Sequence, residues 1–409
     1  MIIDKVKSIL GISGFSKEEY GYLLIYLVAF VPLVYKFFSP FFILAGLGSF
    51  TIFINPVIMI SGLLILKSKL GFYVRKSDIM TYFLVVVLLL LTPLLFPANQ
   101  PFFEEYYADF VLFTLSFYFI GLTLDYSKRE RIISAVAIIG FWYSVYWQTL
   151  IFLGFVETNY GYDGTAGEQM GQAYYLLFSV MVFFVNLVRR FSILNLVYFV
   201  ASTLLLLFFG TRGPVLILGL FIAVYLIVFH KFKSVNVLKK ISAAFLFVFF
   251  FYYLEIIVMA IVPLASALGF STRVFDSILD NRMTNITESS DRDMIWGNLI
   301  TAIQYDQGGI GYGWLGDRVL LTDIQYSHNF ELEILTQFGV LIGGGLLLLM
   351  LILIIKSYIN INKSPSRDFW LIMLFVGFVE LQLSNTYVSH PLFFVMIGYY
   401  MSITRKTSR

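Results

Sequence analysis

Apolar runs separated by short polar connections follow one another along almost the whole chain. Each run is roughly twenty residues long, the length that crosses the hydrocarbon core of a bilayer as a helix. The pattern predicts an all-α polytopic membrane protein with about twelve transmembrane helices. The predicted spans lie near Tyr20–Tyr35, Pro40–Leu66, Asp78–Phe96, Tyr106–Leu124, Arg131–Leu153, Gln172–Val188, Phe191–Phe209, Pro214–Phe229, Ile241–Leu264, Asn329–Ile355, Phe369–Val388 and Pro391–Ile403.

One long polar segment, Ser266–His328, interrupts this pattern. It divides the chain into nine membrane helices in residues 1–264, a large extracytoplasmic loop in residues 265–328, and three membrane helices in residues 329–409. Within the loop, Asp291–Gln304 follows two serines and predicts a short amphipathic helix. The predicted apolar side of that helix consists of Met294, Ile295, Leu299, Ile300 and Ile303.

Composition supports the membrane assignment and excludes several kinds of chemistry. Hydrophobic residues make up 59% of the 409 residues and charged residues 13%, which is too apolar for a soluble domain of this size. The chain has no cysteine. Disulfides, thiolate catalysis and cysteine-ligated metals are therefore excluded.

The positions of Lys and Arg predict the orientation in the membrane. Basic residues cluster in alternate loops, and the connections between those loops are acidic or neutral. Because cytoplasmic loops carry the excess of Lys and Arg, this alternation places both termini in the cytoplasm. The long polar segment then lies on the outer face, and every lysine except Lys36 lies inside.

The predicted outer face carries five arginines: Arg212, Arg273, Arg282, Arg292 and Arg318. A planar guanidinium holds phosphate or carboxylate with two donors, so arginine in place of lysine indicates anion binding. Arg212 lies in a glycine-flanked turn between two spans, where the alternative is a side chain that snorkels to the interface. The acidic neighbours of Arg292 suggest a capped helix start rather than a metal site, because no second cluster completes a coordination shell.

Three further features offer candidate ligands for sugars or for a reacting hydroxyl. His328 lies where the polar segment meets the next helix, and an imidazole that titrates near neutral pH can remove a proton; the alternative is a capping or packing histidine. The run Gly308–Gly313 predicts close approach of backbone to a sugar or phosphate, or else a plain turn. The outer loop Gly154–Gly171 holds carboxylates and amides that suit sugar hydroxyls, or is an ordinary solvated loop.

Taken in order, these motifs resemble those of the O-antigen polymerase and O-antigen ligase superfamily. The resemblance rests on Gly210-Thr211-Arg212-Gly213 between two spans, Arg292 and Trp296 in the outer loop, Gly309–Gly313, and His328-Asn329 entering a helix. By motif it covers residues 191–345, and by topology it covers the chain. One departure is Gly171-Gln172, where relatives often carry an Asn-Pro pair, and it weakens a donor-binding role for that loop.

The resemblance implies a GT-C-like fold and a metal-independent, inverting membrane glycosyltransferase of the bacterial inner membrane that needs no cofactor. Its substrates would be oligosaccharides on undecaprenyl pyrophosphate, and its partners the bilayer, a chain-length regulator and a flippase, with no nucleic acid. In that interpretation Arg212 and Arg292 hold the donor diphosphate, and His328 acts as base or orients the acceptor. The predicted substrate-binding residues are Arg273, Arg282, Arg318, Tyr312, Asn329, Glu168 and Gln172. Of these, Arg282 and Arg318 have no firm motif match and are chosen from their charge alone.

Two alternatives remain open at this point. A ligase would transfer the finished polysaccharide to the lipid A core or to a protein, using the same chemistry as a polymerase. A polysaccharide transporter or flippase would need charged residues within the spans. Glu255 and Glu380 are the main candidates for such residues.

Overall fold

A computed structural model describes most of the chain as α-helices joined by short connections, with no strand among the described residues. Five helices are long and apolar enough to cross a membrane: Lys76–Leu95, Pro97–Thr123, Arg129–Leu150, Gly171–Arg189 and Phe330–Ile361. The prediction of a helical membrane protein is therefore confirmed. The described residues are 10, 12–31, 53–153, 165–209, 212–229, 292–306, 308–321, 326–361 and 366–406.

Some predicted features fall outside this description. They are the predicted span Ile241–Leu264, part of the span Pro40–Leu66, and the two arginines Arg273 and Arg282. Three further apolar helices are described but are shorter than a full span: Ile54–Leu66, Ile193–Phe208 and Gly213–Ile227.

In chain order the helices are α1 (Lys17–Phe30), α2 (Ile54–Tyr73), α3 (Lys76–Leu90), α4 (Thr92–Leu95), α5 (Gln100–Asp109), α6 (Phe117–Thr123), α7 (Tyr126–Phe152), α8 (Thr165–Arg189), α9 (Ile193–Phe208), α10 (Arg212–Val224), α11 (Arg292–Tyr305), α12 (Gly316–Leu320), α13 (Phe330–Phe338), α14 (Gly344–Ile361), α15 (Arg367–Leu374), α16 (Glu380–Leu383) and α17 (Pro391–Lys406). Among the described residues, wider π-helical turns occur at Phe110–Leu115, Tyr225–Phe229, Gly339–Gly343 and Phe375–Val379, and the first and third of them lie within long helices.

The chain forms two compact units, and the first comprises residues 1–66 and 126–284. Its helix α1 begins with a capping box. The Ser16 hydroxyl accepts a hydrogen bond from the Glu19 backbone N–H, and the Glu19 carboxylate accepts one from the Ser16 backbone N–H. Helix α8 lies at the centre of this unit and is almost fully buried along its middle turns. Aromatic stacking joins α1 to α8, with the rings of Phe30 and Phe178 4.1 Å apart.

The second unit comprises residues 67–125 and 285–409. Its two central helices, α6 and α17, cross at Gly121 and Gly398. A Cβ atom at Gly121 would lie 2.2 Å from the Val395 carbonyl oxygen, and one at Gly398 would lie 2.1 Å from the Tyr118 carbonyl oxygen. Because any side chain would clash with backbone there, the paired glycines set the closest helix contact of this unit.

This second unit has two ends of different character. At one end, Arg405 near the end of α17 pairs with Asp78 in the first turn of α3, and Tyr118 donates to the same carboxylate at 3.1 Å. At the other end, the amide of Asn99 donates to the backbone oxygens of Tyr312 and Trp314 at 2.9 Å each. The part of the polar segment around Tyr312 and Trp314 therefore packs at the end of this unit opposite to the basic residues of α3 and α17.

A glycine-rich contact breaks the predicted span Asn329–Ile355 into α13 and α14. Gly339 has φ +69° and Gly311 has φ +76°, which are left-handed conformations that favour glycine. A Cβ at Gly339 would lie 2.2 Å from the Gly309 oxygen, and one at Gly311 would lie 2.3 Å from the Gly339 nitrogen. In this structure the glycine run thus packs against the backbone of Gln337–Gly339, whereas the sequence predicted approach to a sugar or phosphate, or a plain turn.

We expect Gly339→Ala to destabilise the protein, because it adds both a backbone strain and a clash with the Gly309 carbonyl. The strain of a left-handed non-glycine residue alone costs about 1–3 kcal/mol. Gly344→Ala is the matched control, since a Cβ at this helical position meets nothing within 4 Å. Thermal unfolding of the two purified variants in detergent would measure the difference, and equal melting temperatures would contradict this account of the break.

Candidate functional site

The predicted amphipathic helix is present as α11 and begins at Arg292. Ile295 and Leu299 are buried and pack with Leu321. Met294 and Ile300, which the sequence placed on the same apolar side, are instead 57% and 44% exposed. They were misassigned because only the narrow stripe of Ile295 and Leu299 meets the unit, and α11 lies on its surface.

Arg292 and His328 come together on one side of α11. Arg292 is half-buried, and its Nε is buried without a hydrogen-bond partner. His328 is also half-buried and its Nδ1 likewise has no partner. Its ring lies against Tyr326, with centroids 4.2 Å apart. Two of the three residues predicted to be catalytic therefore form one polar corner, which we call the Arg292–His328 corner.

The backbone at His328 is in an uncommon conformation. Its φ is +54°, in the left-handed region that few non-glycine residues adopt, although histidine, asparagine and aspartate tolerate it better than most. Strained residues of this kind persist only where the surroundings hold them, and they concentrate at functional sites. The next residue, Asn329, caps α13 by accepting from the Leu332 backbone at 2.9 Å. Asn329 thus has a structural partner at the position where a substrate contact was predicted.

Electrostatics make His328 a neutral group. Burial, and then the charge of Arg292, lower the pKa of His328 from its ordinary 6.5 to about 4. The sequence interpretation assumed titration near neutral pH, so this lower pKa is a correction. The Tyr326 phenol faces Ser384 and the Asn385 backbone, and burial raises its pKa. At pH 7 the corner therefore presents one fixed positive charge beside an uncharged imidazole.

Arg318, predicted to contact substrate, belongs to a separate buried ion cluster with Asp317 and Glu333. Its Nη1 lies 3.2 Å from an Asp317 oxygen and 3.5 Å from a Glu333 oxygen, and only 2% of the arginine is exposed. Burial raises the pKa of the Asp317 carboxyl, while Arg318 opposes that shift. These contacts favour a structural role for Arg318 over direct contact with a phosphate.

Neutral side chains complete the cluster and connect it to three chain segments. Gln337 on α13 donates to Asp317 at 2.6 Å, and Tyr387 donates to Gln337. Arg318 donates to the Thr386 hydroxyl at 3.2 Å, and Thr386 donates to Glu333. Sequence inspection missed these partners because Glu333 and Gln337 lie within a predicted span, and one carboxylate and one amide there gave no motif.

The other predicted site residues have the following positions. Tyr312 donates its hydroxyl to the Ala302 oxygen at 3.2 Å. In the first unit, Arg212 is the first residue of α10, and Glu168 lies on α8. Gln172 is buried and donates to the Tyr143 hydroxyl at 3.2 Å. Of the predicted catalytic set, Arg292 and His328 thus belong to the second unit, and Arg212 belongs to the first.

Two observations bear on other kinds of site. In the described part of the chain, no group of three or more His, Asp or Glu residues is arranged to hold a metal ion. Glu380, the residue considered for transport, is buried and accepts from the Asn385 amide at 3.2 Å, and that amide also contacts His390 at 3.2 Å. These partners lie within ten residues of Glu380, which favours a local structural role.

Removing the positive charge of the buried cluster should strongly destabilise the protein. We expect Arg318→Met to lower the free energy of unfolding by about 3–5 kcal/mol, because two buried carboxylates lose their counter-charge. Arg190→Met, at an exposed arginine, is the matched control. Unfolding in detergent followed by circular dichroism would test this. A stable Arg318→Met with weakened substrate binding would instead support the predicted contact with substrate.

Removing the charge of Arg292 should raise the pKa of His328 above 4, though not to 6.5, because burial remains the larger cause. NMR titration of the histidine ring protons in Arg292→Gln would measure the shift. The chain has three histidines, so His328→Asn identifies the signal by subtraction. In the wild type, stability should fall as the pH drops from 6.5 to 4, since only the unfolded chain binds this proton there. An unchanged pKa would show that Arg292 does not act on His328.

Comparison with known proteins does not extend this description. No protein-family model, no curated protein and no solved structure matches the chain. The likeness to the O-antigen polymerase and ligase superfamily therefore rests on the sequence motifs alone.

Proposed function

We propose that the chain is a membrane glycosyltransferase that joins oligosaccharide repeat units carried on undecaprenyl pyrophosphate, and so polymerises an O-antigen, capsule or exopolysaccharide. The observation that carries this proposal is the Arg292–His328 corner, where a guanidinium with an unpartnered Nε lies beside a neutral imidazole with an unpartnered Nδ1. The guanidinium can stabilise a diphosphate leaving group, and the imidazole can accept the proton of an attacking hydroxyl.

The donor is held by arginine rather than by a metal ion. Negative charge develops on the diphosphate as its bond to the sugar breaks, and a fixed guanidinium in a partly dry site stabilises that charge. Arg292 supplies this group in the second unit. Arg212 is a second candidate for binding the donor diphosphate, on the motif resemblance alone.

The transfer step balances with these groups alone. The acceptor hydroxyl oxygen attacks the anomeric carbon of the donor sugar while the bond from that carbon to the diphosphate oxygen breaks. The electron pair leaves with undecaprenyl pyrophosphate, and attack from the opposite face inverts the anomeric centre. His328 orients the hydroxyl through Nδ1 and takes its proton, which then passes to solvent.

A low resting pKa of His328 fits this order of events. Burial is the larger cause of this low pKa and remains in place, whereas a donor diphosphate beside Arg292 cancels much of the positive charge that is the second cause. His328 thus becomes a stronger base once the donor is bound. Proton removal from the acceptor is then favoured when both substrates are present.

The apolar helices would hold the lipid carrier. In this proposal the chain crosses the bacterial inner membrane about twelve times, and both termini lie on the cytoplasmic side. The Asp78–Arg405 pair lies at one end of the second unit, and Trp314 of the polar segment lies at the other end. This separation supports an outward-facing site, because the charge pattern assigns the two ends to opposite faces of the membrane. A flippase that delivers the repeat unit and a chain-length regulator are the expected partners.

Deletion of the gene in its own host, followed by complementation, tests this function. We expect the deletion strain to display surface polysaccharide one repeat unit long. Plasmid-borne Arg292→Gln and His328→Asn should fail to restore long chains, whereas Arg190→Gln should restore them. Asparagine is the sharper replacement for His328, because it accepts the left-handed backbone while lacking an imidazole. Immunoblots of the membrane fraction would confirm equal amounts of each protein.

The same strains distinguish the alternatives. Long chains that accumulate on the lipid carrier without transfer to lipid A or protein would indicate a ligase. Repeat units retained on the cytoplasmic face would indicate a flippase. Full-length polysaccharide from strains that carry Arg292→Gln and His328→Asn would contradict the proposed site.

A further inference from the structure

Trp296 connects the helix that carries Arg292 to the segment that carries His328. Residues four apart on a helix lie on the same face, so Arg292 and Trp296 project from one side of α11. The indole Nε1 of Trp296 donates to the Ser327 backbone oxygen at 3.1 Å. Ser327 is the residue immediately before His328, so this bond acts one residue from the imidazole.

The segment around His328 is held on both sides of the strained residue. Ser327 is fully buried. Its hydroxyl donates to the backbone oxygen of Asn329 at 2.9 Å, and the backbone N–H of Asn329 donates to the same hydroxyl at 3.4 Å. These bonds fold the three residues into a tight turn, but they are internal to it. The Trp296 bond relates the turn to α11 directly, beside the packing of Leu332 from α13 against Ile295 and Leu299.

Packing alone is the simpler explanation for Trp296, and the two explanations differ in the atoms they need. The ring packs beside the apolar cluster of Ile295, Leu299 and Leu321. A packing role needs the ring surface and is largely kept by phenylalanine. A positioning role needs the N–H, which phenylalanine lacks.

We propose that Trp296 is a positioning residue of the transfer site, which sets His328 relative to Arg292 through its hydrogen bond to Ser327. This inference rests on the proposed function. Both substrates are held by separate groups, one on α11 and one on the turn. Loss of the bond should therefore disturb their mutual orientation more than the binding of either one.

The experiment measures kcat and KM of the purified full-length protein with lipid-linked oligosaccharide extracted from the deletion strain. We expect Trp296→Phe to lower kcat by roughly 10–100-fold, the range that a misplacement near 1 Å produces, while KM changes by less than about twofold. Trp370→Phe is the matched control. It removes an indole bond of 2.8 Å to Ser357 from the same unit, outside the polar segment.

A second variant separates the hydrogen bond from packing. Leu299→Ala opens a cavity in the same apolar cluster and leaves the Trp296 N–H in place, so it should lower the melting temperature with little loss of kcat. If Trp296→Phe does not fold, Trp296→His, which keeps a ring N–H, replaces it and should retain more kcat per folded molecule than Trp296→Leu.

Three results would overturn the inference. They are a kcat loss in Trp296→Phe no larger than in Trp370→Phe, an equal kcat loss in Leu299→Ala, or a loss expressed as a raised KM. Failure of the proposed function is distinct, because the wild-type protein itself would then form no glycosidic bond from the lipid-linked oligosaccharide.

Discussion

The second unit depends on the burial of Arg318 between two carboxylates. One guanidinium joins α12, α13 and the Thr386 connection, and through Gln337 the contacts extend to Tyr387. A buried ion pair is seldom better for stability than well-packed apolar groups, but removing one partner is costly. The cluster therefore specifies one arrangement of these segments, and it accounts for a polar end on a helical unit that otherwise presents apolar faces.

This arrangement has a direct consequence for the Arg292–His328 corner. Glu333 and Asn329 lie on the same short helix or its cap, so the cluster that holds α13 also holds the turn that presents His328. The Ser384–Thr386 connection faces Tyr326 on one side and Arg318 on the other. The Arg292–His328 corner is thus built on segments that the ion cluster fixes, and rigid support of this kind is what the proposed positioning of two substrates would require.

Much of the fold followed from hydrophobic length, because apolar runs of about twenty residues leave few alternatives in a bilayer. The start of α11 followed from local polar residues before an apolar stripe. The break at Gly339 could not be predicted, because a glycine within an apolar run says nothing about which distant backbone it meets. In this chain the partner is Gly309, thirty residues earlier.

The candidate site, like the fold, was predicted only where the local sequence carries the information. Arg292 and His328 lie in polar sequence, where their residue types carry information about chemistry. Arg318 lies in the same polar sequence, yet its partners Glu333 and Thr386 come from predicted spans or their ends, so its burial was visible only in three dimensions. Charge and residue type identified candidate groups, while contacts over long sequence separations decided which of them are buried in ion pairs.

The most direct test of the central claim is transfer by purified protein without a divalent cation. The full-length chain, reconstituted in lipid nanodiscs with lipid-linked oligosaccharide extracted from the deletion strain and excess EDTA, should release undecaprenyl pyrophosphate and form products of two or more repeat units. Absence of any new glycosidic bond, or activity that disappears with EDTA and returns with Mg²⁺, would contradict the account.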